Sequence, residues 1–272
     1  MQKIMMLPRI FRISEWRGYY GIFIYSFLVS GTIMSNRFLI FNILFFIYMS
    51  SIYLANNIYD RDGDRTNPNK INKNPLVLVE NLSIFKKLLI IEIVVAFILG
   101  YMLLSPVNYL VYISSLLLGL FYSIPPLRLK ERYILDLFSH AVFFGIGLIL
   151  IPLDIQTILT NIILIIFVGV YSIILELRNE IEDYEYDKEI GYKTTIVKIG
   201  YNKGKNILYI CIVILLFLTI YVFLNTIVKQ LILFIMFPLL IGILYVQKIN
   251  FKEKMRVLDL YVIFFLIMYL FR

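Results

Sequence analysis

Two short segments of this 272-residue sequence concentrate carboxylates in a pattern that could hold a metal ion. The first reads Asn56-Asn57-Ile58-Tyr59-Asp60-Arg61-Asp62-Gly63-Asp64. The second reads Asn179-Glu180-Ile181-Glu182-Asp183-Tyr184-Glu185-Tyr186-Asp187. Aligned without gaps, they share Asn, Ile, Asp and Asp at the first, third, fifth and ninth positions, and both are acidic at the seventh. Residues 57, 60 and 64 are spaced i, i+3, i+7, as are 180, 183 and 187, so on a helix each set occupies one face. Carboxylate clusters without imidazole or thiolate suit a hard cation such as Mg²⁺, which usually completes its shell with water and substrate phosphate. Arg65, Lys70 and Lys73 follow the first segment, and Lys188, Lys193 and Lys198 follow the second. A turn rich in proline and cations, Tyr122-Ser123-Ile124-Pro125-Pro126-Leu127-Arg128-Leu129-Lys130-Glu131-Arg132, lies between them. Cations so placed neutralise the charge that grows on a departing phosphate. The chemistry implied is capture of a diphosphate through metal bridges.

Other readings of the same residues fail or are weaker. An EF-hand beginning at Asp60 needs Gly at its sixth position and Glu at its twelfth; Arg65 and Ile71 stand there. Solvated helix caps would explain one acidic segment but not two matching ones. A single cysteine, Cys211, cannot form an internal disulfide. With a single histidine, His140, it leaves no zinc site of the usual kind. Both read as packed residues.

The elements that must position these groups are membrane helices. The chain is 61% hydrophobic and 16% charged, with a mean hydropathy of +0.85, well above a soluble domain. Hydropathy predicts about nine spans, near 18–35, 38–58, 83–104, 107–123, 134–151, 158–178, 206–228, 230–246 and 257–271. With the N-terminus inside, 26 lysines and arginines divide so that only Arg37, Lys229 and Arg272 lie outside, the asymmetry expected of cytoplasmic loops. Both acidic segments then fall at the inner ends of even-numbered spans, as two parallel copies of one site. The net charge of +8 is this bias meeting anionic lipid and implies no nucleic-acid partner. The basic first residues, interrupted by Pro8, do not read as a signal peptide. One membrane domain over 1–272 is expected, in the cell membrane with its site facing the cytoplasm.

The arrangement resembles the UbiA superfamily of intramembrane prenyltransferases. That family's first motif, N-D-x-x-D-x-x-x-D, stands here as Asn56-Asn57-x-x-Asp60-x-x-x-Asp64. Its second, D-x-x-D-x-x-x-D followed by G-x-x-T, stands as Glu180-x-x-Asp183-x-x-x-Asp187 and Gly191-x-x-Thr194. The Y-S-x-P-P-L-R-L-K stretch at Tyr122 to Lys130 is similar as well. Asn57 and Glu180 depart from the pattern, each replacing an Asp while keeping an oxygen ligand. The resemblance implies an all-α membrane protein whose nine helices enclose a central cavity open to lipid. It implies Mg²⁺ on Asn56, Asn57, Asp60, Asp64, Glu180, Asp183 and Asp187, with Asp60, Asp64, Asp183 and Asp187 essential to catalysis. Asn56, Lys70, Arg128, Lys130 and Lys193 would meet the diphosphate. Ionisation in a dry cavity would give an allylic cation for an acceptor to attack.

The substrates so implied are a prenyl diphosphate and a lipophilic acceptor, an aromatic quinone precursor by default. The stretch Asp64-Arg65-Thr66-Asn67-Pro68-Asn69-Lys70, followed by Asn74-Pro75-Leu76-Val77, is similar to the lycopene elongase branch and makes a carotenoid acceptor an alternative. A membrane terpene cyclase would share the metal motifs and need no acceptor. A transporter would also carry repeats and intramembrane charge, but near the bilayer midplane rather than at the inner ends of spans.

Overall fold

In a computed structural model, residues 7–33, 35–66, 70, 73–223 and 250–270 are described, and all their regular structure is helical. The long helices are Arg17–Val29, Asn36–Thr66, Ser83–Leu103, Pro106–Ser123, Ile162–Glu189, Tyr201–Phe223 and Phe251–Tyr269, with a composite helix at Leu135–Leu150. The span expected at 230–246 lies outside the described residues. Among the described residues, four helices are long and apolar enough to cross a membrane: Asn36–Arg65, Pro106–Ser123, Ile162–Glu189 and Tyr201–Val222. Helix Ser83–Leu103 carries Lys86, Lys87 and Glu92 but presents Ile90, Ile91, Val94, Ile98 and Tyr101 outward, an apolar exposed face of the kind lipid covers.

The chain forms two compact units, one ending at Leu208 and the other beginning at Tyr209. In the second, Asn250 caps helix Phe251–Tyr269 by accepting from Glu253 N at 2.9 Å, and the Tyr261 hydroxyl bonds Thr219 Oγ1. The candidate site lies within the first.

Local signals explain the boundaries there. Ser105 precedes Pro106 and accepts from Asn108 N at 3.3 Å, so the helix begins with a cap and a proline at N1. Gly191, at φ +79°, closes helix Ile162–Glu189 with Tyr192 N donating to Asp187 O at 2.8 Å. A left-handed residue there suits glycine. It turns the chain back, carrying Tyr192 toward the first acidic segment.

The two acidic segments extend the apolar helices rather than follow them. Asn36–Thr66 continues past the span end expected at residue 58 and through Asp64, and Ile162–Glu189 continues past the end expected at residue 178 and through Asp187. Between them packs Leu135–Leu150, whose middle turn, Ala141–Ile146, is a π-helix. Widening a turn leaves carbonyls in need of donors. One of them, Phe143 O, receives the buried Tyr48 hydroxyl at 2.6 Å. Gly145 and Gly147 permit this packing, because a Cβ on Gly145 would lie 2.7 Å from Ser172 Cβ, and one on Gly147 2.9 Å from Ser115 Cβ. These two small residues serve as close helix contacts.

Candidate active site

The C-terminal end of helix Asn36–Thr66 carries its polar residues on one broad face. Asn56 is half-buried and donates to Ser123 Oγ at 3.2 Å. Asp60 Oδ1 meets Arg128 Nη2 at 3.2 Å and the Lys130 ammonium. Arg128 sits at φ +40°, a costly conformation for a residue with a side chain. Its guanidinium also reaches Tyr59 O at 3.0 Å, Tyr192 Oη at 3.1 Å and Glu131. A planar fork with five donors can satisfy such a set, where an ammonium could not.

Asn57 and Asp64 lie one above the other along the same face, beside Asp60, and share partners. Asn57 is fully buried; its Nδ2 donates to Ile10 O at 2.6 Å, and its Oδ1 accepts from Arg12 Nε at 2.8 Å. Asp64 accepts from Asn74 Nδ2 at 2.9 Å, with Arg12 Nη2 at 3.6 Å. Asn74 donates in addition to Asn57 O at 3.0 Å. Arg12 and Asn74 thus complete the first segment, although the sequence gives neither this role: Arg12 reads as one more basic residue on the inner side, and Asn74 enters only through the stretch similar to the lycopene elongase branch. Asp62 is 87% exposed and pairs only with its neighbour Arg61 at 3.2 Å, as its i+2 offset from Asp60 predicts.

The second segment answers from helix Ile162–Glu189. Asp183 binds the Lys70 ammonium at 2.8 Å, and Asp187 is buried. Burial alone would lower the pKa of Lys70, but Asp183 beside it raises it above the ordinary lysine value. Asp60 does the same for Arg128, again against burial. Both side chains therefore stay cationic at working pH. Tyr186 donates to Gly63 O, and Lys70 lies 5.5 Å from the centre of the Tyr186 ring. Lys70 and Tyr186 thereby tie the two acidic helix ends together. Gly63 leaves room at this crossing, since a Cβ there would sit 3.0 Å from Tyr192 Oη. Lys193 is exposed.

Glu180 has a different setting. It is buried, and its Oε2 accepts from Ile196 N at 2.8 Å. It also faces Asp136, which accepts from the backbone and side chain of Thr195. These carboxylates hold the start of helix Thr195–Ile199. Of the seven predicted metal ligands, Asn57 and Glu180 are thus engaged by neighbouring backbone. Asp60, Asp64 and Asp183 are each paired with a cation. Among the described residues no three His, Cys, Asp or Glu converge as a metal cluster. The donor set itself, carboxylate oxygens from two facing helix ends with no nitrogen or sulfur, fits a hard divalent cation.

The fold and site together define a helical membrane protein in which facing acidic helix ends are threaded with lysine and arginine. The model of the UbiA prenyltransferase family matches residues 19–268, and the chain belongs to that family. Among solved structures it is similar to a UbiA homolog from Archaeoglobus fulgidus bound to GPP and Mg²⁺, at 20% identity and TM-score 0.72 over 97% of each chain. The same homolog bound to DMAPP and Mg²⁺ gives the same values; bound to Cd²⁺, it gives 19% identity and TM-score 0.69 over 97% of each chain. At this identity the likeness speaks to the fold. No curated protein matches the chain.

Proposed function

We propose that this protein transfers a prenyl group from a prenyl diphosphate to a lipophilic acceptor within the membrane, dependent on Mg²⁺. One observation carries the reading: acidic ends of two apolar helices face each other with Arg128, Lys130 and Lys70 drawn in among their carboxylates. A site whose Asp60, Asp64 and Asp183 are already paired with cations gains little from a lone metal ion. It gains much from a metal and a diphosphate together, because the aspartates then turn to the metal and the cations to the phosphates. The solved structures of a UbiA homolog bound to GPP or DMAPP with Mg²⁺ support a prenyl diphosphate and Mg²⁺ as the ligands.

Asp60, Asp64, Asp183 and Asp187, with Asn56 beside them, would hold the metal, which supplies charge neutralisation to the departing diphosphate. Arg128, with its planar fork, and Lys130 and Lys70 bind and orient the phosphates, with Lys193 at the exposed rim. Apolar helix walls exclude water from the allylic cation. The domain is single over 1–272, with nine spans, the N-terminus and the site on the cytoplasmic side of the cell membrane, and an aromatic quinone precursor as the acceptor.

The test is release of diphosphate by purified protein given geranylgeranyl or farnesyl diphosphate and Mg²⁺, with and without membrane lipid extract. Release that needs metal and extract supports transfer, and the product identifies the acceptor. Release without extract, yielding a cyclic hydrocarbon, replaces transfer by cyclisation. Folded protein that releases nothing with either substrate sinks the catalytic reading.

A further inference from the structure

One turn below Glu180 on the same helical stripe lies Glu176, which none of the assignments above uses. It is buried and is the centre of a polar group otherwise surrounded by aromatic rings. Its Oε1 accepts from the Tyr122 hydroxyl, and its Oε2 accepts from Asn179 Nδ2 at 3.4 Å. The only histidine of the sequence faces it, with His140 Nε2 3.5 Å from Oε2. Phe143 and Phe144 flank the imidazole with ring centroids 5.7 and 5.1 Å away.

The hydrogen bonds fix where the protons are. His140 Nδ1 lies 3.1 Å from Ser172 O and 3.0 Å from Ser172 Oγ. Ser172 Oγ donates to His140 O at 3.1 Å, and a carbonyl can only accept, so Nδ1 carries the hydrogen. In the neutral ring Nε2 then presents a lone pair, toward Tyr19 Oη at 3.4 Å and toward the carboxylate. Nε2 and Oε2 are two acceptors facing across a gap with a place for one proton. A carboxylate aligned by a tyrosine and an amide, backed by an imidazole in a fixed tautomer, has the construction of a base and its orienting group.

Its depth suits a particular step. Glu176 precedes Asp183 by seven residues, roughly 10 Å along the helix axis on the same face. Tyr122 adjoins Ser123, which Asn56 of the first acidic segment contacts. The cluster therefore lies just inside both acidic segments. The carbon that leaves the diphosphate is joined to it through one oxygen, so with the phosphates at the aspartates the reacting carbon points toward this level.

We propose that Glu176 takes the proton released during prenyl transfer, with His140 and Tyr122 as positioning residues. The proposal rests on the prenyl-transfer reading. In the step, the bond from the prenyl carbon to the diphosphate oxygen breaks and its electron pair leaves with the diphosphate. A nucleophilic atom of the acceptor bonds to that carbon. Hydrogen on that atom passes as a proton to Glu176 Oε2, to be shared with His140 Nε2. No oxidant or reductant is needed.

The experiment uses the full chain in detergent with tritiated geranylgeranyl diphosphate, Mg²⁺ and membrane lipid extract, reading diphosphate release and prenylated product separately. Glu176→Gln should lower product about 10²–10⁴-fold, the usual effect of losing a general base. Release should fall less than product, because the base acts after the carbon–oxygen bond has broken, and Glu176→Asp should recover part of the product. Tyr122→Phe, which removes one oxygen, should cut product about tenfold while leaving release nearly intact. Product within about threefold of wild type in Glu176→Gln, or product and release falling in parallel as for a residue that only holds the fold, overturns the proposal. Wild-type protein that shows no metal-dependent release removes the prenyl-transfer reading itself, a result distinct from either.

Discussion

The two acidic windows match in sequence yet are held by different means. Partners reach the first from three separate places: Arg12 before it, Asn74 after it, and Arg128 with Lys130 from the proline-rich turn. In the second, Asp183 meets Lys70, which comes from the segment following the first window. Where the windows agree is their second position. Asn57 holds Ile10 O and Glu180 holds Ile196 N, each securing a neighbouring segment of backbone rather than facing the other helix. These are also the two positions at which the chain departs from the family's aspartates. The comparison teaches that one helical face need not be one functional set: the fifth and ninth positions keep their charge for ligands, while the second is taken over by packing.

The sharpest way to break that comparison is to remove one charge from each window. Asp60→Ala and Asp183→Ala should each lower metal-dependent diphosphate release about 10²–10³-fold, the scale of losing one group that stabilises developing charge. Chelation of the metal should match or exceed either. If only one window responds, the two halves are not a paired site, and the unaffected window is structural throughout.

Glu180 should behave differently. Glu180→Ala deprives Ile196 N of its buried acceptor and leaves Asp136 alone at the start of helix Thr195–Ile199. The expected cost is about 1–3 kcal/mol of stability, read as a lowered thermal midpoint in detergent, with release per folded molecule within about tenfold of wild type. An unchanged midpoint with release abolished would return Glu180 to the ligand set.

How much of this was legible in the sequence follows from the kind of signal involved. Both acidic helices, their shared face and the inward spacing of Asp60, Asp64, Asp183 and Asp187 could be read from periodicity, because spacing along one helix is local. The Tyr122–Lys130 turn could be read from its prolines and cations. The roles of Arg12 and Asn74 could not, since their partners are 45 to 52 and 10 to 17 residues distant and nothing separates Arg12 from other basic residues of the inner side. The use of Glu180 was hidden for a related reason: a carboxylate that caps another helix looks in sequence like one that binds metal. His140 reads as packed, and it is packed, but its fixed tautomer depends on Ser172 and Glu176 across a helix contact that only the glycines at 145 and 147 hint at.

Asn57→Asp sharpens the comparison from the other side by restoring the family's residue. The carboxylate loses the donor to Ile10 O but gains charge attraction to Arg12, so the two changes nearly offset and the expected net change is about 1 kcal/mol or less. Release should stay within a few-fold of wild type, and the metal concentration giving half-maximal release should not fall. A drop of tenfold or more in that concentration would place the second position of the first window among the ligands.

The smallest effect should come from Tyr192→Phe, which asks whether the brace between the windows matters apart from their charges. The hydroxyl lies 3.1 Å from Arg128 Nη2, with the guanidinium carbon 5.7 Å from the ring centre. Removing the oxygen leaves Arg128 its contacts with Asp60, Glu131 and Tyr59 O, and the ring stays. One partly exposed hydrogen bond is lost, worth about 0.5–1 kcal/mol, so release should fall about two- to fivefold through a higher half-saturating concentration of prenyl diphosphate. Because Arg128 sits at positive φ, its side chain depends on its neighbours for direction more than on its own backbone preference. A loss beyond about tenfold, equal to that of Arg128→Ala, would therefore mean that the tyrosine aims the guanidinium and that the turn after the second window positions the arginine that pairs with the first.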